Sequence, residues 1–169
     1  MKVFITGGTG FVGTYLSQKL VKEGHEVSIL TRNAGKAAPD HPGISYLVGD
    51  PTQEGPWMGV VPDHDWIINL AGANIFSRWS AGYKQEIYDS RVRTTRNLVI
   101  ALAEGDRRQL FCSTSAVGYY GPRGDEVLTE DSPQDAYFPP TESVLIEIFL
   151  APPSSYSVMI PRKESFSKS

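Results

Sequence analysis

The most informative run of this sequence is Thr6-Gly7-Gly8-Thr9-Gly10-Phe11-Val12-Gly13. A short apolar run, Val3-Phe4-Ile5, precedes it, and an amphipathic segment follows it. A strand, a glycine turn and a helix in that order form the kind of site that holds a dinucleotide pyrophosphate. In such a site Gly7 permits a turn that a Cβ would obstruct, Gly10 lets the backbone approach the phosphates, and Gly13 lets the helix pack on the strand. The run therefore predicts nucleotide binding, with a glycine turn that holds no ligand as the alternative.

Composition places the chain among globular proteins. Its 169 residues suffice for one domain with a core of its own, and 40% of them are hydrophobic and 21% charged. A formal net charge of −3 without a basic run argues against nucleic acid as a partner. The single cysteine, Cys112, excludes an internal disulfide framework and is typical of a reducing compartment. Neither a signal peptide nor an apolar run of membrane-spanning length is visible, so we expect a cytoplasmic protein without membrane contact.

The first thirty residues are predicted to form one βαβ unit with a right-handed crossover. Phe11 to Glu23 has the amphipathic pattern of a helix, and Gly24 stands at the usual left-handed stop position. Glu26 to Leu30 follows as the second strand. The predicted buried side of the helix consists of Val12, Leu16 and Leu20.

The end of this second strand carries the choice of cofactor. NAD sites usually place an acidic residue about 20 positions after the glycines, where it holds the ribose 2′-hydroxyl. Here the sequence reads Thr31-Arg32-Asn33, and it contains no acid. Arg32 can pair with a 2′-phosphate, and Thr31 and Asn33 can donate to it. We therefore predict NADP rather than NAD, with a solvated surface arginine as the alternative.

Further elements complete an α/β doubly wound parallel sheet in three layers, the Rossmann fold. Asp50 follows the third strand, where it either accepts from the adenine amine or caps the turn before Pro51. We interpret Asp63-His64-Asp65 as a polar turn rather than a metal site, because no further ligand lies at a suitable spacing. A long helix is predicted from Arg78 to Ala103 with Ser80 as a plausible cap. The five predicted strands span residues 2–5, 26–30, 44–48, 66–70 and 109–113.

The sequence resembles the extended short-chain dehydrogenase/reductase superfamily in Thr6 to Gly13, Leu70-Ala71-Gly72 and Ser113-Thr114-Ser115 followed by Tyr120-Gly121. Within it, three runs are similar to the NAD(P)-dependent epimerase/dehydratase branch, whose members are described as nucleoside-diphosphate-sugar epimerases. These runs are Asn69-Leu70-Ala71-Gly72-Ala73-Asn74-Ile75, Asp89-Ser90-Arg91-Val92-Arg93-Thr94-Thr95 and Leu128-Thr129-Glu130-Asp131-Ser132-Pro133.

The resemblance covers about residues 1–134 and implies a Rossmann domain that binds NADP(H). It also implies hydride transfer at the nicotinamide on a small substrate such as a nucleotide sugar, and it admits a homodimer. In that branch the cofactor is touched at positions that match Glu86 and Arg91, besides Thr31, Arg32, Leu70 and Ala71. The complete predicted cofactor set is Thr6, Gly7, Thr9, Gly10, Phe11, Val12, Gly13, Thr31, Arg32, Asp50, Leu70, Ala71, Gly72, Glu86 and Arg91.

Catalytic residues are harder to assign. The superfamily uses a Tyr-x-x-x-Lys pair one helical turn apart, in which the lysine lowers the pKa of the tyrosine. Tyr15 and Lys19 have this spacing, but they lie on the first helix behind the glycine turn, and residues 141–150, where the pair is expected, contain neither type. The alternative to catalysis is a hydrogen-bonded strand end with packed rings. Our catalytic candidates are Ser115 as the hydroxyl that polarises the substrate and Tyr119 or Tyr120 as the acid.

Two regions are predicted along the chain. Residues 1–135 form the NADP-binding domain, and residues 136–169 form an atypical, flexible segment apart from a short strand near 157–160. Members of the branch run on to nearly twice this length and carry a substrate lobe that is largely missing here; a truncation or an altered reading frame near residue 135 would explain this. The functional hypotheses are an NADP-dependent epimerase or oxidoreductase, a non-catalytic NADP-binding or sensing module, and an inactive family member.

Overall fold

The computed structural model describes residues 1–33, 35, 42–114, 117–129, 131–133 and 157–158. Six strands form one sheet in the order β3-β2-β1-β4-β5-β6, and every neighbouring pair is parallel. This order and direction confirm the predicted Rossmann topology. The strands are β1 Lys2–Thr6, β2 Glu26–Thr31, β3 Ile44–Val48, β4 Trp66–Asn69, β5 Leu110–Ser113 and β6 Ser157–Val158.

Two α-helices and two 3₁₀ segments connect the described strands. Helix α1 spans Phe11–Lys22, helix α2 spans Ala81–Ala103, and the 3₁₀ segments span Pro56–Asp63 and Val117–Tyr120. Gly24 follows α1 with φ of +85°, which confirms the predicted left-handed stop.

The predicted start of the long helix at Arg78 was wrong by three residues. Ser80 adopts an extended backbone conformation, and its Oγ accepts a hydrogen bond from the backbone N–H of Tyr83 at 3.2 Å. Ser80 is therefore the N-cap, as predicted, and the helix begins at Ala81.

Both faces of the sheet are covered, as continuous apolar strands require. On one face, α2 and the segment Pro56–Asp63 pack over the strands, and on the other face α1 packs over them. Side chains of successive residues alternate between these layers because a strand has a period of two. The buried core of the first layer contains Phe4, Leu30, Trp57, Val61, Ile67, Leu98, Leu102 and Phe111, and that of the second contains Val3, Ile5, Leu20, Val27 and Ile29.

The predicted buried side of α1 was partly wrong. Leu20 is buried and Leu16 is half-buried, but Val12 is 60% exposed. The buried positions are instead Gly13, Ser17 and Leu20, and the Ser17 Oγ donates to the carbonyl of Gly13 at 2.7 Å. Because Gly13 and Ser17 are small, the helix turns this side toward the backbone of the glycine turn, and Val12 faces outward.

The predicted strand near 157–160 is confirmed at Ser157–Val158, which pairs with Leu110 and Phe111 of β5. The other residues of the predicted segment 136–169 lie outside the described residues. Among the helices that the structure describes, none combines the length and the apolar character that crossing a membrane requires.

Candidate dinucleotide site

The glycine turn connects the carboxyl end of β1 to α1 with no room for side chains. Gly7 has φ of +72°, and a Cβ on it would lie 2.7 Å from the carbonyl carbon of Leu70. A Cβ on Gly13 would lie 2.6 Å from the Cα of Gly8. Real Cβ atoms essentially never come this close to backbone atoms. The roles predicted for Gly7, as the residue that permits the turn, and for Gly13, as the close-packing residue, are thus confirmed.

The amino terminus of α1 opens beside this turn. Gly10 is its N-cap and has an extended backbone, and no side chain within the described residues caps the helix. The N–H of Gly10 donates back to the carbonyl of Gly7 at 3.0 Å, which closes the turn. The first N–H groups of α1 and the positive end of the helix dipole together favour an anion at this place. The predicted contact residues Thr9, Phe11 and Val12 are exposed around it.

A second loop of the site follows β4. The N–H of Leu70 donates to the carbonyl of Thr6 at 3.0 Å, so this loop lies against the glycine turn. Leu70 and Ala71 are half-buried, and Gly72 is exposed. The structure therefore brings Leu70-Ala71-Gly72 to the same edge of the sheet as the glycines.

Arg91 reaches this loop from α2. Its Nη1 donates to the carbonyl of Ile87 at 3.1 Å, and its Nη2 lies 3.4 Å from the carbonyl of Ala73. A Cβ on Gly72 would lie 3.2 Å from the guanidinium carbon, so the guanidinium lies directly against the loop. Arg93, by contrast, pairs with Asp89 on the helix surface at 3.5 Å. Arg91 is thus placed at the site. Glu86 is exposed on the same helix.

Asn69 joins the parts of the site from beneath, a role that the sequence reasoning missed. Its Oδ1 accepts from the Thr6 hydroxyl at 2.6 Å and from the N–H of Ala71 at 3.2 Å. Its Nδ2 donates to Thr95 Oγ1 at 3.2 Å and to Ser113 Oγ at 3.0 Å. One buried amide therefore ties together β1, the loop after β4, α2 and β5. The available signal was the single polar residue in the apolar strand Trp66–Asn69.

The far end of the site lies where β2 ends. The N–H of Asn33 donates to Thr31 Oγ1 at 3.3 Å, and Asn33 Oδ1 accepts from the N–H of Gly35 at 2.8 Å. These bonds form a local turn, and Arg32 within it is exposed. Thr31 is buried, and its hydroxyl lies 3.2 Å from the carbonyl of Asn33. A guanidinium is thereby presented to solvent at the carboxyl end of β2.

Asp50 caps the turn that follows β3. Its Oδ1 accepts from the backbone N–H of Thr52 at 2.9 Å and from the Thr52 hydroxyl at 2.7 Å. The capping interpretation is thus confirmed. The contact between Asp50 and an adenine stays a prediction. Thr6 is likewise a supporting residue in its side chain, since it is fully buried against Asn69.

The model of the NAD dependent epimerase/dehydratase family matches residues 3–143. The chain belongs to this family. An epimerase family protein of Staphylococcus haemolyticus is 41% identical over 132 residues, which are 77% of this chain and 42% of that protein. The chloroplastic SDR39U1 homolog of Arabidopsis thaliana is 38% identical over 141 residues, 79% of this chain and 39% of that protein. The chain thus spans well under half the length of these two relatives.

Solved structures of this fold are also similar. Human epimerase family protein SDR39U1, crystallised with NADPH, has a TM-score of 0.72 at 28% identity, over 94% of this chain and 52% of that one. The UDP-glucose 4-epimerase of Bifidobacterium longum, in complex with NAD⁺ and UDP, has a TM-score of 0.71 at 22% identity, over 94% and 51%. The second likeness shows the fold alone. The family and the fold expected from the sequence are confirmed.

Two of the three catalytic candidates of this epimerase/dehydratase family member lie within the described residues. Ser115 lies outside the described residues. The rings of Tyr119 and Tyr120 pack edge to face, with centroids 5.0 Å apart, and both residues are half-buried in the 3₁₀ segment after β5. Arg123 Nε donates to the carbonyl of Tyr120 at 3.1 Å and holds the end of that segment. The packed-ring interpretation is supported, and an acid role for either tyrosine stays a prediction.

Proposed function

We propose that this chain binds NADP(H) along the carboxyl edge of its sheet, as the cofactor of an epimerase or oxidoreductase. The observation that carries the proposal is the glycine turn, in which Gly7 and Gly13 leave no space for a Cβ. Glycine at these positions contributes no buried side chain to the core. The close packing places the amino terminus of α1 where a pyrophosphate would meet free backbone N–H groups. The solved relative at 28% identity holds NADPH, which supports the same ligand here.

The residues present fit that ligand. The N–H groups at the start of α1 would hold the pyrophosphate, and the first turn of α1 contains no acidic residue to repel it. Leu70, Ala71 and Gly72 provide a strip of backbone on which a flat group can lie. Arg91, held over that strip by two carbonyls, adds a positive charge next to it.

Arg32 is the basis for NADP over NAD. It is exposed where β2 ends, and its neighbours Thr31 and Asn33 fix the turn that presents it. A guanidinium pairs well with a phosphate, whereas an acidic residue in this place would repel it. A 2′-phosphate is therefore the group that this end of the site would recognise.

The reaction proposed is hydride transfer on a small molecule such as a nucleotide sugar. A bound nicotinamide would supply the hydride chemistry, and the protein would orient the substrate and move its proton. Ser115 would polarise the substrate oxygen, and Tyr119 or Tyr120 would hold the proton. A single chain or a homodimer in the cytoplasm is compatible with this role.

A non-catalytic NADP-binding or sensing module is the second candidate. It is favoured by residues 141–150, which contain neither Tyr nor Lys where the superfamily places its catalytic pair. In the described part of the chain the pair with matching spacing lies on α1, where Tyr15 is exposed and Lys19 lies 4.0 Å from Glu23. Binding without turnover on sugar nucleotides would distinguish this module from an enzyme.

Calorimetric titration with NADPH and NADH side by side tests the cofactor assignment. We expect NADPH to bind more tightly, and Arg32→Glu to weaken NADPH by about 10- to 150-fold while NADH changes little, since charged hydrogen bonds are worth about 1.5–3 kcal/mol. Lys22→Glu is the matched control, because it makes the same charge change on an exposed residue in the last turn of α1, at the end of that helix opposite the glycine turn. Equal losses for both nucleotides in Arg32→Glu would refute the 2′-phosphate assignment. Failure to bind either nucleotide would refute the proposal.

A further inference from the structure

A second polar region lies at the amino edge of the sheet, away from the dinucleotide site. Here the first residues of β1, β2 and β3 and the segment Pro56–Asp63 surround a cavity of about 400 Å³. Lys2, Ser28, Ser45, Asp63 and His64 are among its lining residues. The fold itself does not require hydroxyls here, because the same face of the sheet is apolar further along both strands, at Leu30 and Leu47.

The hydrogen bonds of His64 indicate which of its two ring nitrogens carries the proton. His64 as a whole residue is 4% exposed, and its Nδ1 lies 2.9 Å from the carbonyl of Val60. A carbonyl oxygen can only accept, so Nδ1 carries the proton and donates it to Val60. In the neutral ring Nε2 is then an acceptor. It lies 2.8 Å from Ser28 Oγ, which must donate to it.

Ser45 completes this chain of hydrogen bonds. It lies opposite Ser28 in the pairing of β2 with β3, and the two Oγ atoms are 3.2 Å apart. The hydroxyl proton of Ser28 is already directed at His64. Ser45 is therefore the donor of this bond, and the carbonyl of Val27, 3.4 Å from Ser45 Oγ, competes for the same hydroxyl proton. Ser28 Oγ thus keeps its proton aligned with a base while one side of it faces the cavity.

We propose that Ser28 and His64 form a nucleophile and general-base pair that accepts an acyl group from a small activated ester in this cavity. A hydroxyl within hydrogen-bond reach of a base that a third group orients is the arrangement of an activated nucleophile. Here the carbonyl of Val60 is the orienting group. The site is separate from the proposed dinucleotide site and does not depend on it.

The step balances within the pair and the ester. Ser28 Oγ forms a bond to the ester carbonyl carbon, and its proton passes to His64 Nε2. The bond from that carbon to the leaving oxygen then breaks, and the same proton passes from His64 to the leaving oxygen. The products are Ser28 esterified with the acyl group and a free alcohol, with no change of oxidation state.

The charges around the cavity suit this step. Burial lowers the pKa of His64, and the nearby Lys2 ammonium lowers it further, whereas Asp63 and the carbonyl bonds oppose the change. The imidazole is thus a neutral base at neutral pH. Lys2 from β1, Glu26 from β2 and Asp63 from the 3₁₀ segment are the charged groups that line the cavity with it. The Lys2 ammonium also favours negative charge on the ester oxygen as the bond forms.

Labelling with a small alkyl fluorophosphonate tests the pair, because the serine adduct is stable. Ser28 Oγ bonds to phosphorus, fluoride leaves, and the proton goes to His64. We expect intact-mass spectrometry to show one adduct, and peptide mapping to place it on Ser28. Ser28→Ala should lose it, and His64→Gln should slow it by about 100-fold, the lower range for a general base. Ser77→Ala, which removes an exposed serine outside the cavity, should label as the unchanged chain does.

A pH profile keeps the test valid if the buried His64 cannot be replaced without unfolding. We expect the labelling rate of the unchanged chain to rise with pH as His64 loses its proton and then to level off. The midpoint of this rise should lie below the pKa of an ordinary histidine. A flat profile, an adduct on another serine, or equal labelling of Ser28 in folded His64→Gln would overturn the proposal. Release of 4-nitrophenolate from 4-nitrophenyl acetate that disappears in Ser28→Ala would extend the result to an acyl donor.

Discussion

The two edges of the sheet place polar groups in opposite ways. At the carboxyl edge the backbone faces outward: glycines clear the space, and the polar side chain of Asn69 is buried beneath, with both ends of its amide bonded. At the amino edge side chains face a cavity: the hydroxyls of Ser28 and Ser45 and the ring of His64 line it. The carboxyl edge suits a ligand that accepts hydrogen bonds from backbone N–H groups. The amino edge is shaped for a group that meets a side-chain hydroxyl.

This difference shows which kind of site can be found in a sequence. A backbone site depends on residues next to one another, so its glycines keep a fixed spacing. A side-chain site depends on residues that the topology joins, and Ser28 and His64 are 36 positions apart. Three measurements test this difference between the two edges.

Gly7→Ala should have the largest effect. We expect it to lower the free energy of unfolding by about 1–2 kcal/mol for the left-handed backbone and by about 1–3 kcal/mol more for the contact with Leu70. NADPH binding should be lost with it. Gly24→Ala is the matched control, since Gly24 also has positive φ but a Cβ there would meet nothing within 4 Å. Urea denaturation should show only the first cost in the control; equal losses would mean that the turn has room for a side chain.

Asn69→Ala should come next. Removing the amide leaves the Thr6 hydroxyl and the Ala71 N–H without their acceptor, and we expect a loss of about 2–3 kcal/mol in urea denaturation. Affinity for NADPH should fall as well, because the amide positions both loops of the site. Asn97→Ala removes another buried amide, one that donates to the carbonyl of Pro51 at 3.0 Å. If the control weakened NADPH as much as Asn69→Ala, the positioning role of Asn69 would be refuted.

A pH dependence of stability from His64 should be the smallest effect. Burial lowers the folded pKa of His64 below its ordinary value of 6.5, so the folded state favours the neutral ring. The contribution to stability is therefore fully present above about pH 6.5 and is lost as the pH falls toward the folded pKa. Urea midpoints measured from pH 8 downward should show this decline, and His64→Gln should remove that part of it. An unchanged slope in the variant would contradict the assignment.

Much of the fold was predictable because it depends on local patterns. The glycine turn and the stop at Gly24 follow from spacing and from left-handed backbone geometry, and the strand order follows from the fold that the glycine turn indicates. The start of α2 was misplaced because Ser80 ends an extended segment that periodicity alone includes in the helix. Val12 was placed on the wrong side because Gly13 and Ser17, which do not look like core residues, form the packing surface.

The sequence predicted where the candidate site lies, at the carboxyl edge of the sheet, and the cofactor contacts of its residues stay predictions. Arg91 could be separated from its basic neighbours by resemblance alone, and the structure supplies the reason in its bonds to two carbonyls. Asn69 could be seen as a polar interruption, yet its partners come from positions 6, 71, 95 and 113. No local pattern indicates which distant side chains will converge, because convergence is set by the pairing of the strands.

The contact of Arg91 with Gly72 also bears on how tightly an anion can bind. A free arginine side chain gives up roughly 2 kcal/mol of rotamer entropy when it is fixed in one geometry. Arg91 has already been fixed by the carbonyls of Ile87 and Ala73, and its guanidinium occupies the space that a Cβ on Gly72 would need. Binding of a phosphate would therefore not incur this entropy loss, because the Arg91 side chain is already ordered in the folded chain. Gly72, which has no side chain, thus leaves room for the ordered guanidinium of Arg91.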